Sequence, residues 1–128
     1  MRIEAFLHGL GQPWRRAGDA AWGVTFPDVG GWPLDVGLAV RGPEPALLRL
    51  QAPVCEPGLL DPADLLYRGR RLSLVRFTST RAGEVWLQGE LPWPLADERL
   101  LDVALALLVQ SAEAARQSAS AARTERSR

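Results

Sequence analysis

Regular alternation of apolar residues with small or polar ones over residues 34–41 constrains the fold of this chain more than any other feature. A period of two is typical of a strand with one buried face, and residues 22–26 and 47–54 alternate in the same way. Only short turns separate these three segments. Because a parallel crossover needs a dozen or more residues, the short links predict an antiparallel sheet.

Two further strands are predicted over residues 72–80 and 84–91, joined by the turn Arg81-Ala82-Gly83. A three-residue linker that contains glycine favours a hairpin. Before this pair, Asp61 and Pro62 have the residue types of a helix N-cap and a first helical position, and they predict a short helix over 62–68. Gly69 then suits the left-handed conformation that ends a helix.

Helical spacing of apolar residues appears at both ends of the chain, over residues 2–10 and again from Asp97 onward. The inward stripe of the second helix is predicted to be Leu101, Ala104, Leu105, Leu108, Ala112 and Ala115. Leu100, Val103 and Leu107 form a second apolar face on the same helix, so more than one surface must cover it. Residues 117–128 are rich in Ser, Ala and Arg without large apolar side chains, and we expect them to be frayed or disordered.

These elements predict an α+β fold with a five-stranded antiparallel sheet in the order α-β-β-β-α-β-β-α. A length of 128 residues favours one domain, here residues 1–116.

Composition excludes several classes of function. Fifteen Arg balance fifteen Asp and Glu, so the chain lacks the positive field of a general nucleic-acid binder. The absence of lysine excludes a Walker-type phosphate loop and every lysine Schiff base. A single cysteine, no secretory signal and no long apolar run predict a cytoplasmic protein without a membrane span.

No residue pattern indicates catalysis. Cys55 and His8 are the sole residues of their types, too few for a zinc site without other ligands. The acidic residues near Asp61 and Asp97 are explained by helix capping and the helix dipole. We therefore predict no enzyme activity, no metal and no cofactor.

The residues resemble the YbjN-like family of bacterial sensory-transduction regulators, which shares the fold of type III secretion chaperones. The resemblance rests on Leu65-Leu66-Tyr67-Arg68-Gly69-Arg70-Arg71-Leu72, Val75-Arg76-Phe77, Gly83-Glu84-Val85-Trp86-Leu87, Glu90-Leu91-Pro92, and Asp97-Glu98-Arg99-Leu100-Leu101 leading to Ala112-Glu113. It implies a homodimer that binds a segment of a client protein, with a role in a stress or regulatory response. Family members usually have Asn where Gly69 stands, and both residues tolerate a left-handed helix end.

Five tryptophans in so short a chain predict apolar surface in excess of what a monomer hides. Tryptophan and arginine also dominate binding energies at protein interfaces. The predicted partner contacts are Trp32, Trp86, Trp93 and Leu107, with Arg70, Arg71 and Arg76 as charge partners of an acidic client.

An alternative function uses the arginines between Arg68 and Arg81. Five of them lie within fourteen residues, with Tyr67, Phe77 and Trp86 nearby for base stacking. A nucleic-acid accessory protein is therefore the second hypothesis.

Overall fold

The structure is a computed structural model that describes residues 1–127. Six strands and three α-helices follow one another along the chain, with one turn of 3₁₀ helix at Trp93–Leu95. In order, they are α1 (Ile3–Leu10), β1 (Trp14–Gly18), β2 (Ala21–Val29), β3 (Trp32–Arg41), β4 (Leu47–Cys55), α2 (Pro62–Gly69), β5 (Val75–Ser79), β6 (Val85–Pro92) and α3 (Glu98–Arg126).

All six strands form one sheet in the spatial order β1-β2-β3-β4-β6-β5, and every neighbouring pair is antiparallel. The predicted α+β class with an antiparallel sheet is confirmed, but the predicted count of five strands is wrong. The additional strand is β1, so four strands rather than three precede α2. Its sequence, WRRAG, has no apolar alternation, because its last four residues are exposed and it is held by backbone pairing to β2.

The turn between β2 and β3 is tighter than the sequence predicts. Residues 27–33 have turn composition, yet β2 continues to Val29 and β3 begins at Trp32. The turn itself is Gly30 and Gly31, which both have positive φ. A register shift between Phe26 and Val29 accommodates Pro27 within the strand, as a β-bulge permits.

One face of the sheet packs against α3, and this interface forms the core. The six residues of the predicted inward stripe of α3 are all buried. Opposite them lie the alternating apolar residues of the central strands, including Leu38 and Leu50, with Ile3 and Leu7 of α1 completing the cluster. Helix α3 begins where the sequence predicts, since the Asp97 carboxylate accepts a hydrogen bond from the Leu100 N–H at 2.8 Å.

The C-terminal half of α3 differs from the expectation of a frayed segment after Gln117. The helix continues to Arg126, while Arg128 lies outside the described residues. Ala119 is fully buried, and Arg123 forms an ion pair with Glu56 at 2.6 Å. These contacts hold a segment whose composition alone does not favour packing. None of the described helices combines the length and apolar character needed to cross a bilayer.

Candidate functional site

A group of exposed apolar side chains lies on α2 and beside β5. Leu66, Tyr67 and Leu74 have 78%, 56% and 41% of their surface exposed. Helix α2 has the predicted start, because the Asp61 carboxylate accepts a hydrogen bond from the Ala63 N–H at 3.0 Å and Pro62 follows it. No residue of α2 is buried. The helix therefore presents apolar side chains to the outside.

A groove of about 590 Å³ separates α2 from β5. Leu65, Leu66 and Phe77 supply apolar walls, and Arg70 and Arg76 border it. Strand β5 is an edge of the sheet, so one side of its backbone has no strand partner among the described residues. An apolar groove next to an open strand edge can accept another polypeptide through both side-chain burial and backbone pairing.

The arginines between Arg68 and Arg81 do not form one continuous basic face. Arg68 bonds Asp64 at 2.9 Å and the Ser118 hydroxyl at 2.6 Å. Arg71 lies over the Tyr67 ring, with its Cζ atom 5.7 Å from the ring centroid. Arg76 bonds Glu90 on the opposite face of the sheet from α3. These arginines therefore bind partners in different places, on α2, on α3 and on the open face of the sheet.

Glu90 is the acidic centre of a small network on that open face. Its Oε1 atom accepts hydrogen bonds from Arg76 at 3.2 Å and from Arg49 at 3.0 Å. The hydrogen bond from Arg76 is the main cause that lowers the pKa of Glu90 below its ordinary value. The hydrogen bond from Arg49 and the positive charges of both arginines act in the same direction, whereas burial acts in the opposite direction. Beside this network, Gln88 donates to Gln51 at 3.1 Å.

The predicted partner contacts Trp32, Trp86, Trp93 and Leu107 are all half-buried, and the structure does not bring them together into one patch. Trp32 begins β3 and contacts α3, Trp86 lies on the open face of the sheet, and Trp93 donates its backbone N–H to Ala46 at 2.8 Å. Their role in partner contact stays a prediction. Leu66, Leu74 and Leu95 are more exposed than any of these four, although no sequence pattern marks them as surface residues.

The second apolar face of α3 is covered in part. Leu100 and Leu107 pack against the core, whereas Val103 is half exposed. A second groove of about 300 Å³ lies close by, where Leu10, Phe26, Leu105 and Val109 meet.

Arg116 is a buried arginine that no sequence pattern indicates. It is 2% exposed, and its guanidinium donates to five backbone carbonyl oxygens at 2.9–3.2 Å. Those acceptors belong to Val29, Trp32, Pro33, Pro53 and Val54. Burial lowers the pKa of Arg116. The side chain joins α3 to the β2–β3 turn and to the end of β4.

Cys55 lines a cavity of about 440 Å³ beside Arg116, and no histidine is among the described residues that surround it. Burial raises the pKa of the Cys55 thiol, although Arg116 and Arg123 act in the opposite direction. A raised pKa disfavours the thiolate, which is the nucleophilic form of cysteine. Within residues 1–127, no three His, Cys, Asp or Glu side chains are grouped to hold a metal ion.

No family model matches the sequence, and no curated protein matches it either. Comparison of structures gives clear similarities. A chain of the Yersinia pestis type III secretion chaperone SycH, in complex with a stable fragment of YscM2, aligns with a TM-score of 0.65 and 18% identity, covering 86% of this chain and 92% of that one. The chain has the fold of a type III secretion chaperone.

Two further structures extend the similarity. The HopA1–SchA chaperone–effector complex aligns with a TM-score of 0.65 at 15% identity over 90% of each chain. The heterodimeric ExoU–SpcU complex from the type III secretion system of Pseudomonas aeruginosa aligns at 0.62 and 14%, over 92% of this chain and 97% of that one. The chaperone fold implied by the sequence resemblance is confirmed, whereas membership of the YbjN-like family stays a prediction.

Proposed function

We propose that this protein is a cytoplasmic, non-enzymatic, chaperone-like interaction module that forms a homodimer and binds a segment of a client protein. The fold supports a protein-binding role, because the similar structures include a chaperone bound to a YscM2 fragment and a chaperone–effector complex. The observation that carries the proposal is the exposed apolar face of α2 beside the open edge of β5.

The homodimer uses the α2–β5 face. A two-fold interface places the same surface on both subunits. Two copies of the β5 edge then run antiparallel to each other and can pair through their backbones. Burial of Leu66, which is 78% exposed, contributes at most about 1.5–3 kcal/mol, and burial of Leu74, which is 41% exposed, contributes less. One contact then gives the open backbone groups hydrogen-bond partners and buries the exposed leucines.

The absence of catalysis is part of the proposal. It is supported by the raised pKa of Cys55 and by the lack of a histidine among the described residues around its cavity. The nucleic-acid alternative loses support because Arg68, Arg71 and Arg76 are engaged in three separate places. Titration of labelled single strands at low and raised salt tests that alternative, since phosphate contacts make affinity fall steeply with salt.

Light scattering tests the dimer. The wild-type protein is expected at twice the 14.0 kDa chain mass, and Leu66→Glu is expected at the monomer mass. Leu95→Glu is the matched control, because Leu95 is 77% exposed but lies in the 3₁₀ helix and does not line the α2–β5 groove. A monomeric wild-type protein contradicts the dimer, and dissociation by both variants alike contradicts the assignment to α2.

A further inference from the structure

The face of the sheet that α3 does not cover has a trough of about 220 Å³, which is lined by residues of β1, β2, β3 and β4. Its floor consists of small residues, Ala21, Gly37 and Ala39. Cross-strand pairing sets these residues in two adjacent rows. Ala39 lies between Ala21 and Arg49, and Gly37 lies between Gly23 and Gln51.

Gly37 has no requirement for glycine within its own chain. A Cβ atom there would come no nearer than 3.8 Å to another atom, which is ordinary contact, and the backbone is that of a normal strand. Gly89 differs, because its Cβ would lie 2.6 Å from the Leu74 carbonyl oxygen. A glycine inside a strand weakens it and often marks the close approach of another backbone. The space over Gly37 therefore leaves room for another backbone to approach the sheet closely.

The charged side chains that line the trough are arginines. Arg41 and Arg49 are the charged residues among those described in its lining. Arg41 is exposed and makes no ion pair within residues 1–127. Arg49 shares the single carboxylate of Glu90 with Arg76, so this group of three retains one positive charge. The trough complements an acidic partner.

The spacing of the two arginines fits an extended chain. Arg49 pairs with Ala39, and Arg41 lies two residues farther along β3, so the arginines are diagonal neighbours about 7–8 Å apart at their backbones. Alternate residues of an extended peptide are separated by about 7 Å and point to the same side. Two acidic side chains with one residue between them therefore match the two guanidinium groups.

We propose that the trough over Gly37 binds an extended segment of a client protein that carries acidic residues at alternate positions, with Arg41 and Arg49 holding the carboxylates. The proposal rests on the proposed interaction function and specifies the chemistry of the client. The floor of small residues lets the client backbone lie close to the sheet, and the arginines set its direction and register.

The test uses the full chain, isotope-labelled for NMR, and two synthetic peptides of about twelve residues. In one peptide Glu alternates with Thr, and in the other Lys alternates with Thr. We expect the acidic peptide, and not the basic one, to shift the amide signals of residues 37–51. Its affinity is expected to weaken as salt is added. Gly37→Val fills the trough with a strand-favouring side chain, and Arg41→Glu reverses one charge. Each is expected to weaken binding at least tenfold.

Arg99→Glu is the matched control for Arg41→Glu, because it also reverses the charge of an exposed arginine but lies in the first turn of α3. It is expected to bind like wild type, and a thermal melt of Gly37→Val is expected to show a folded protein. The proposal is overturned if neither peptide binds at millimolar concentration, if both bind equally, or if Gly37→Val binds normally. It is also overturned if the shifts map to α2 and β5, or if an oligothymidine strand produces the same shifts. The light-scattering result for the dimer is independent of all these outcomes.

Discussion

The guanidinium of Arg116 lies over the indole of Trp32, with its Cζ atom 4.4 Å from the ring centroid. The same guanidinium donates to the Trp32 carbonyl oxygen at 3.0 Å, so the first residue of β3 holds Arg116 by both its ring and its backbone. Cation–π stacking on a desolvated tryptophan contributes up to about 2 kcal/mol. This buried cation is satisfied by carbonyl dipoles and an aromatic face in place of a carboxylate.

Arg116→Met is expected to destabilise the protein by about 3 kcal/mol, because it leaves several carbonyl oxygens without their charged donor. Urea unfolding measures the change. Arg116→Lys retains the charge but has fewer N–H groups, and its stability is expected to lie between those of wild type and Arg116→Met. Arg99→Met, at an exposed position, is the control and is expected to change stability by less than about 0.5 kcal/mol. An equally small effect of Arg116→Met would show that these contacts contribute little.

Acid is expected to remove the stabilisation that Glu90 provides. The folded-state pKa of Glu90 is below the ordinary 4.5, so its contribution is fully present above that value and is lost as the pH falls through the folded pKa. Melting temperatures of wild type and Glu90→Gln are measured from about pH 7 to about pH 3. The wild-type advantage is expected to shrink below about pH 4.5. A difference that is constant with pH would contradict an ionic contribution.

Two glycines in adjacent regions of the sheet are expected to respond oppositely to alanine. Gly89→Ala forces a Cβ against the Leu74 carbonyl oxygen and is expected to cost about 1–3 kcal/mol. Gly37→Ala finds open space in a normal strand and is expected to stabilise by about 0.5–1 kcal/mol. Denaturant midpoints of the two variants decide the matter. Destabilisation of both would mean that Gly37 also has a structural role within the chain.

Cys55 is expected to react slowly with iodoacetamide at pH 8 in the folded protein, because burial raises its pKa and lowers the thiolate fraction. The rate is expected to rise at least tenfold in urea. Ser127→Cys in a Cys55→Ser background provides an exposed thiol for comparison. Equal rates for the two folded proteins would show that Cys55 is accessible and ionises normally.

The sequence predicted structure correctly where a residue acts on its neighbours along the chain. Asp61 and Asp97 cap the helices that they predict, and the buried stripe of α3 follows from its spacing. Strand β1 was missed because an exposed edge strand needs no apolar pattern, since backbone pairing to β2 suffices. The α+β class follows from such local patterns, while the strand count does not.

The candidate surfaces were harder to predict because burial depends on distant parts of the chain. Arg116 resembles any helical arginine in the sequence, since its partners are backbone carbonyls that carry no residue signature. Leu66 resembles a core residue, yet no described element covers it. Trp32 was predicted as a partner contact, and its ring also packs within the protomer, where the Arg116 guanidinium lies over it.

The two edges of the sheet, β1 and β5, differ in whether another strand could pair with them. The β5 margin is bordered by Leu66 and Phe77, whereas the β1 margin carries the exposed side chains of Arg15 and Arg16. Charged side chains on an edge strand oppose the addition of further strands. Copies joined through β5 would therefore present a β1 margin at each outer end, and growth would stop at a closed pair before any fibre could form.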